Sequence, residues 1–201
     1  VNEPDLKDGP TPTDFELRFT LASELRAESD AARKVTGYAA LFGVKTKIRM
    51  WGGYSFEEWL NRGAFSSSLK SGKDVRYLAE HRYDLLLSRV SAGTLTLLED
   101  DKGLRFDADL PDTTAGRDTY EQIRNGNYSG MSFGFKTVKN RAEYDDRGRL
   151  VRIQHDEVDL GEISVTSMPA YPKTSVAIRS LATRPAPDLR AFRLRVLKLK
   201  G

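Results

Sequence analysis

Cysteine is absent from the 201 residues of the chain. That absence excludes disulfide bridges, thiolate metal sites and a cysteine nucleophile together, and it fits folding in a reducing compartment. Nucleophilic chemistry therefore falls to serine, threonine, lysine or a carboxylate. Histidine is nearly as scarce, with His81 and His155 the only two. This argues against a histidine-rich metal centre, and neither metal nor cofactor is expected, yet a general base needs only one imidazole. Long apolar runs are missing too: none approaches the roughly 20 residues that a spanning helix takes, and no secretory signal pattern opens the chain. A soluble intracellular protein with no membrane partner is the expectation.

Charge is present in quantity and unevenly placed. The formal net charge is +3, but residues 179–200 hold seven Lys or Arg against the single acid Asp188, so the body before them is net negative. A mildly acidic body argues against nucleic acid as the main partner. Residues 1–13 are polar and proline-bearing and read as an N-terminal arm, 14–180 as one domain, and 181–201 as a basic tail behind the linker ATRPAPD. A chain of this length buries a single core.

Alternation of apolar and polar residues predicts strands in FELRFTL, VTGYAALF and DVRYLAEH, the last delivering His81 at its end. Residues 44–53 are basic and glycine-tipped and read as a loop. GTLTLLED and GLRFDADL form the clearest hairpin, turning at Asp101-Lys102-Gly103, where the glycine is expected to supply a positive φ. A short helix follows Gly63, and a second of about three turns runs through TAGRDTYEQIR, with Thr113 or Thr114 as N-cap and Asn125-Gly126 as the stop. Another hairpin turns at DDRGR, then come the strand LGEISVTS and the turn MPAYP. Strands outnumber helices and do not alternate with them one for one, which predicts a mainly β, α+β fold with an antiparallel sheet or barrel.

Serine is a poor nucleophile until a base takes its proton, so the pattern to seek is serine, histidine and a third group that holds the imidazole. His81 precedes Arg82 and Asp84 in what reads as a polar, solvent-reached loop; an ordinary surface histidine fits the same residues. In GNYSGMSFGF, Ser129 and Ser132 lie three apart and face opposite sides of an extended strand. Gly130 and Gly134 flank Ser132, which lets a substrate backbone approach and leaves amides to serve as oxyanion donors. Glycine-rich strands also serve packing alone, and both readings stand. QHDEVDLGEIS offers His155 and Glu162 for the third place; on alternation Glu162 shares a face with Ser164, away from Ile163 and Val165.

Taken in order, FEEWLNRGAF, DVRYLAEH, SAGTLTLLEDDKGLRFDADLPDT, IRNGNYSGMSFGF and VDLGEISVTSMPAYP resemble the prohead proteases of tailed bacteriophages, over roughly Phe15 to Ile178. The resemblance implies a serine endopeptidase that cleaves scaffold and capsid-protein segments, and itself, during head maturation. It implies an antiparallel β-barrel-like core of the herpesvirus assemblin type, the major capsid protein and its scaffold segment as partners, a homo-oligomer, and action inside the prohead in the host cytoplasm. Carried over by position, it assigns the base to His81, the nucleophile to Ser132 and the third member to Glu162, with His155 as the alternative because the assemblins use a second histidine. Arg117 joins Gly130 and Gly134 as an oxyanion candidate. The chain departs from the family pattern beside the histidine, where Glu80 and Arg82 stand in place of the usual Asn and Asp. Two other readings fit the residues: a non-catalytic capsid-assembly module on the same fold, and a nucleic-acid-binding barrel using the basic tail with Tyr128 and Phe133.

Overall fold

The computed structural model describes residues 7–8, 16–21, 23–29, 33–49 and 54–167. In chain order the strands are β1 (Lys7–Asp8), β2 (Glu16–Leu21), β3 (Ser23–Ser29), β4 (Lys34–Leu41), β5 (Thr46–Arg49), β6 (Ser55–Leu60), β7 (Arg76–Ala79), β8 (Arg82–Arg89), β9 (Leu95–Glu99), β10 (Gly103–Asp109), β11 (Gly130–Tyr144) and β12 (Leu150–Thr166). Two helices interrupt them, α1 (Ser66–Lys70) and α2 (Thr114–Arg124). No helix among the described residues is long and apolar enough to cross a membrane.

The long hairpin β11–β12 organises the larger, eight-stranded sheet. It turns where Asp145 accepts the amides of Arg147 and Arg149, with Gly148 at φ 70°. β1 and β2 pair antiparallel with the far edge of β11 at different heights, so Lys7 and Asp8 of the expected arm are built into the sheet. β6 and β7 run parallel to β12 on its outer edge, β5 pairs with β6, and β8 pairs with β7. A second sheet has the order β3-β4-β10-β9, antiparallel throughout. Neither sheet closes on itself among the described residues, and the barrel-like core expected from the resemblance is not found there. The mainly β character with two inserted helices is as expected.

Side chains from both sheets meet in one core. Tyr77 of β7 lies 5.2 Å, ring to ring, from Phe106 of β10, and in the same core Phe133 stacks on Phe135 and meets Phe65, just before α1, edge-on. Phe133 is only 3% exposed, which removes it from the surface where a base-stacking aromatic would stand. Helix α2 opens as read, with the Thr113 hydroxyl accepting the Gly116 amide, and packs on β3 and β8.

Three local expectations are corrected. Residues 46–49, read as part of a loop, form β5, because Ile48 is buried with Phe56 and Ile153 in a satellite cluster. Arg82 and Asp84, read as part of a polar loop, lie in β8; its charged start is exposed and Leu87 and Ser88 turn inward. Gly103 does not supply a positive φ. A Cβ there would lie 2.0 Å from the Ala40 carbonyl oxygen, so glycine is required for the close approach of β10 to β4. The turn MPAYP and the tail beyond it lie outside the described residues.

Candidate active site

β7 and β8 are joined by two residues, Glu80 and His81, closed by the pairing of Ala79 with Arg82. Both residues hold positive φ, 50° and 57°, the conformation of a tight type I′ hairpin turn. Neither is Gly or Asn, and left-handed backbone costs an ordinary residue about 1–2 kcal/mol. Such a turn persists when its surroundings over-determine it. Here the Glu80 amide donates to the Val165 carbonyl at 2.9 Å, and its carboxylate accepts from the Thr166 hydroxyl at 3.0 Å and the Ser167 amide at 2.7 Å.

The turn projects His81 onto the end of β12, where its Nδ1 lies 2.8 Å from Oε1 of Glu162. Glu162 is 2% exposed, and its other oxygen accepts a 2.5 Å hydrogen bond from the Ser164 hydroxyl. A carboxylate can only accept, so Nδ1 carries the proton and Nε2 is the basic nitrogen. Glu162 thus fixes both tautomer and ring orientation, and Ser164 fixes Glu162. The face shared by Glu162 and Ser164 is the one that strand alternation predicts.

Ser132 sits on β11 directly opposite Ser164, and Gly134 opposite Glu162. Register therefore puts Ser132 on the same face as the carboxylate, as a diagonal neighbour at about 7–8 Å. It is fully buried, and its hydroxyl donates at 2.8 Å to the main-chain carbonyl of Arg18 on β2. From Gly130 to Phe135 β11 is flanked by β2 on one side and β12 on the other, so the amides of this stretch lie within a ladder rather than at an open edge. Ser129, by contrast, is exposed just before the strand.

His155 is placed elsewhere. It lies seven residues before Glu162, roughly 20 Å along an extended strand. Only 1% exposed, it is no surface residue: Nε2 is 2.7 Å from Oε1 of Glu58, and Nδ1 is 3.2 Å from the Thr137 hydroxyl. Arg18 completes this cluster, its guanidinium bonded to both oxygens of Glu58 and to Glu16. Burial works against charge on both partners. Even so, Glu58 and its own hydrogen bonds hold Arg18 above the usual guanidinium range, and Arg18 and His155 hold Glu58 well below the usual carboxylate range. Arg117, at the opening of α2, is engaged by Asp112 through its carboxylate at 2.8 Å and its carbonyl at 3.3 Å.

Sequence reasoning missed Glu80, Ser164, Arg18 and Glu58 as parts of the site and its surroundings. Ser164 was within reach, since two-residue spacing puts it beside Glu162. For Glu80 no local signal existed, because glutamate is not a residue that announces a left-handed turn.

The family profile described as Caudovirus prohead serine protease matches residues 21–186, which takes in His81, Ser132 and Glu162. No curated protein and no solved structure matches the chain. With more than four-fifths of its length matched, and a histidine–carboxylate pair set on the serine-bearing face of its main sheet, the chain belongs to the caudovirus prohead serine protease family.

Proposed function

We propose that the chain is the active serine endopeptidase of a phage prohead, with Ser132 as nucleophile, His81 as general base and acid, and Glu162 as the group that orients the imidazole. The observation that carries this reading is the 2.8 Å contact of His81 with Glu162, on the face where Ser132 stands opposite Ser164. Turnover begins when the Ser132 hydroxyl rotates from the Arg18 carbonyl to Nε2 of His81. Its oxygen attacks the scissile carbonyl, His81 takes the proton and passes it to the leaving amine, and Glu162 stabilises the imidazolium between the two transfers. Water, deprotonated by the same nitrogen, releases the acyl group. Oxyanion donation from amides near Gly130 or Gly134 requires the β2 flank of β11 to give way, and donation from Arg117 requires release from Asp112.

The substrates in this reading are scaffold and capsid-protein segments, together with the enzyme's own termini. The enzyme acts as a homo-oligomer inside the assembling prohead in the host cytoplasm. The arm at 1–13 and the tail at 181–201 are the segments offered for trimming, and the two sheets are read as a strand arrangement of the assemblin type. Co-expression with the cognate capsid protein, read by intact mass, tests the assignment. Cleavage by wild type that disappears in Ser132→Ala is the expected result; cleavage retained in the variant sinks it. One observation favours a second reading, a non-catalytic assembly module: Ser132 is fully buried with its hydroxyl already donating a hydrogen bond to the Arg18 carbonyl of β2. Capsid protein bound but uncleaved by wild type would select that reading.

A further inference from the structure

We infer that Glu80 is the positioning residue of this site: its side chain straps the His81 turn to the end of β12 and so sets the imidazole over Glu162. The inference rests on the reading of His81 as the base and adds to it a residue at which this chain departs from the family pattern.

The turn is held from two directions. Along the backbone, the Glu80 amide reaches the Val165 carbonyl, extending the parallel pairing of β7 with β12 by one more bond. Through the side chain, the two carboxylate oxygens take the Thr166 hydroxyl and the Ser167 amide, one oxygen each. Glu162, the partner of His81, lies four residues before Thr166 on that same strand. Turn and carboxylate are thus both referenced to β12, and a shift of the turn moves His81 relative to its own orienting group. Position 80 holds φ 50°, which glycine or asparagine adopts more readily than glutamate. A residue that fits this backbone poorly yet makes two side-chain bonds is held in it by those bonds. The Tyr128 hydroxyl is pushed up by its own burial first and by the Glu80 carboxylate second, so Glu80 lies within electrostatic reach of Tyr128.

Three variants of the full chain separate the strap from the turn. Glu80→Gln keeps both contacts, because its carbonyl accepts the Ser167 amide and its amide donates to the Thr166 hydroxyl. Glu80→Ala removes both, and Glu80→Gly removes both while easing the backbone. With only two histidines, imidazole 15N-correlated NMR resolves the His81 ring, assigned by its loss in His81→Gln. The hydrogen-bonded Nδ1 proton of His81 is expected in wild type and Glu80→Gln, and is expected to vanish by exchange in Glu80→Ala and Glu80→Gly while the amide spectrum stays native. In capsid-protein cleavage, the latter two should lose about 10²-fold in kcat, the scale of a small misplacement of a reacting group, with KM unchanged and Glu80→Gln within about threefold of wild type. Retention of the His81 proton signal in Glu80→Gly, or of wild-type kcat there, overturns the inference. If no form cleaves but the ring signal still follows Glu80, the protease reading fails and the strap stands.

Discussion

Arg18→Met should destabilise the protein by about 3–5 kcal/mol at neutral pH, the range for removing one partner of a buried ion pair. The size follows from what the substitution strands. Arg18 and Glu58 have side chains 11% and 5% exposed, and the guanidinium bonds both oxygens of Glu58. Without it Glu58 keeps, among the described residues, only His155 as a close partner. The pH dependence is more diagnostic than the size. In wild type the folded Glu58 lies below its ordinary range, because Arg18 and His155 outweigh the burial that opposes its charge. Its stabilising contribution is therefore present above the unfolded value of about 4.3 and is lost only as pH falls through the lower folded value. Once Arg18 is gone, burial dominates and the sign reverses: stability is full below the unfolded value and drains away as pH rises through the raised folded one. Urea denaturation at about pH 4.5 and 7.5 should therefore show a gap between variant and wild type that widens with pH. For a domain of this size the neutral gap corresponds to a fall in Tm of roughly 6–20 °C. Arg18→Met with Glu58→Met should recover part of the loss, since the Glu58 charge is gone while Glu16 still loses Arg18 and keeps the Thr137 hydroxyl. A gap below about 1 kcal/mol, or one that is flat with pH, would refute the reasoning.

The remaining predictions concern the site and the sheet that carries it. Glu162→Gln should fold like wild type and lose about 10³–10⁴-fold in kcat, because an amide no longer dictates the His81 tautomer; steady-state cleavage kinetics within tenfold of wild type would remove Glu162 from the mechanism. Ser164→Ala deletes the hydrogen bond that steers Glu162 and should lower kcat about tenfold with KM unchanged, the value of one such bond; a purely KM effect would mean that Ser164 touches substrate instead. Gly103→Ala forces a Cβ onto the Ala40 carbonyl and should cost about 1–3 kcal/mol by overpacking; an unaltered thermal midpoint would show that β10 yields there without strain.

What could be read from sequence was what short-range periodicity encodes. Val75, Tyr77 and Ala79 alternate and are buried as β7; the pattern around Asp101-Lys102-Gly103 makes β9 and β10; and Thr113 and Gly126 bracket α2. β8 escaped because its leucines are consecutive, Leu85 to Leu87, which has no period of two, and its first three residues are exposed. β5 escaped because Ile48 is the one buried side chain seen in a basic segment. The parallel register of β12 against β6 and β7 leaves no local mark at all, since it is set by packing between distant segments. Within the site, the shared face of Glu162 and Ser164 was legible from spacing, whereas the left-handed turn at Glu80 and His81 runs against the preferences of both residues. The cluster of Arg18, Glu58 and His155 was illegible for a related reason: charged residues at alternate strand positions read as solvent-facing, and only the fold shows that they face one another.

β12 and its neighbours thus carry two histidine–carboxylate pairs of nearly equal length, 2.8 Å at His81–Glu162 and 2.7 Å at His155–Glu58, and distance alone does not choose between them. Charge and lone pairs do. A general base must change its charge during turnover without collapse of its surroundings, and it must keep one nitrogen for the proton of the nucleophile. At His155 the carboxylate is already matched by Arg18, the second ring nitrogen meets the Thr137 hydroxyl, and the ring is 1% exposed against the edge of Phe135. Such a pair serves to hold β2, β6 and β12 together. At His81 the carboxylate has no cation bonded to it among the described residues, its second oxygen is steered by a neutral hydroxyl, and the ring stands 17% exposed in a hairpin turn that β12 separates from the Ser132 strand. An uncompensated carboxylate gains most when the ring beside it becomes an imidazolium, which is the event that proton transfer from serine produces. In the proposed mechanism the same two residue types therefore take opposite roles through one difference, the arginine that β2 brings to one pair and not to the other.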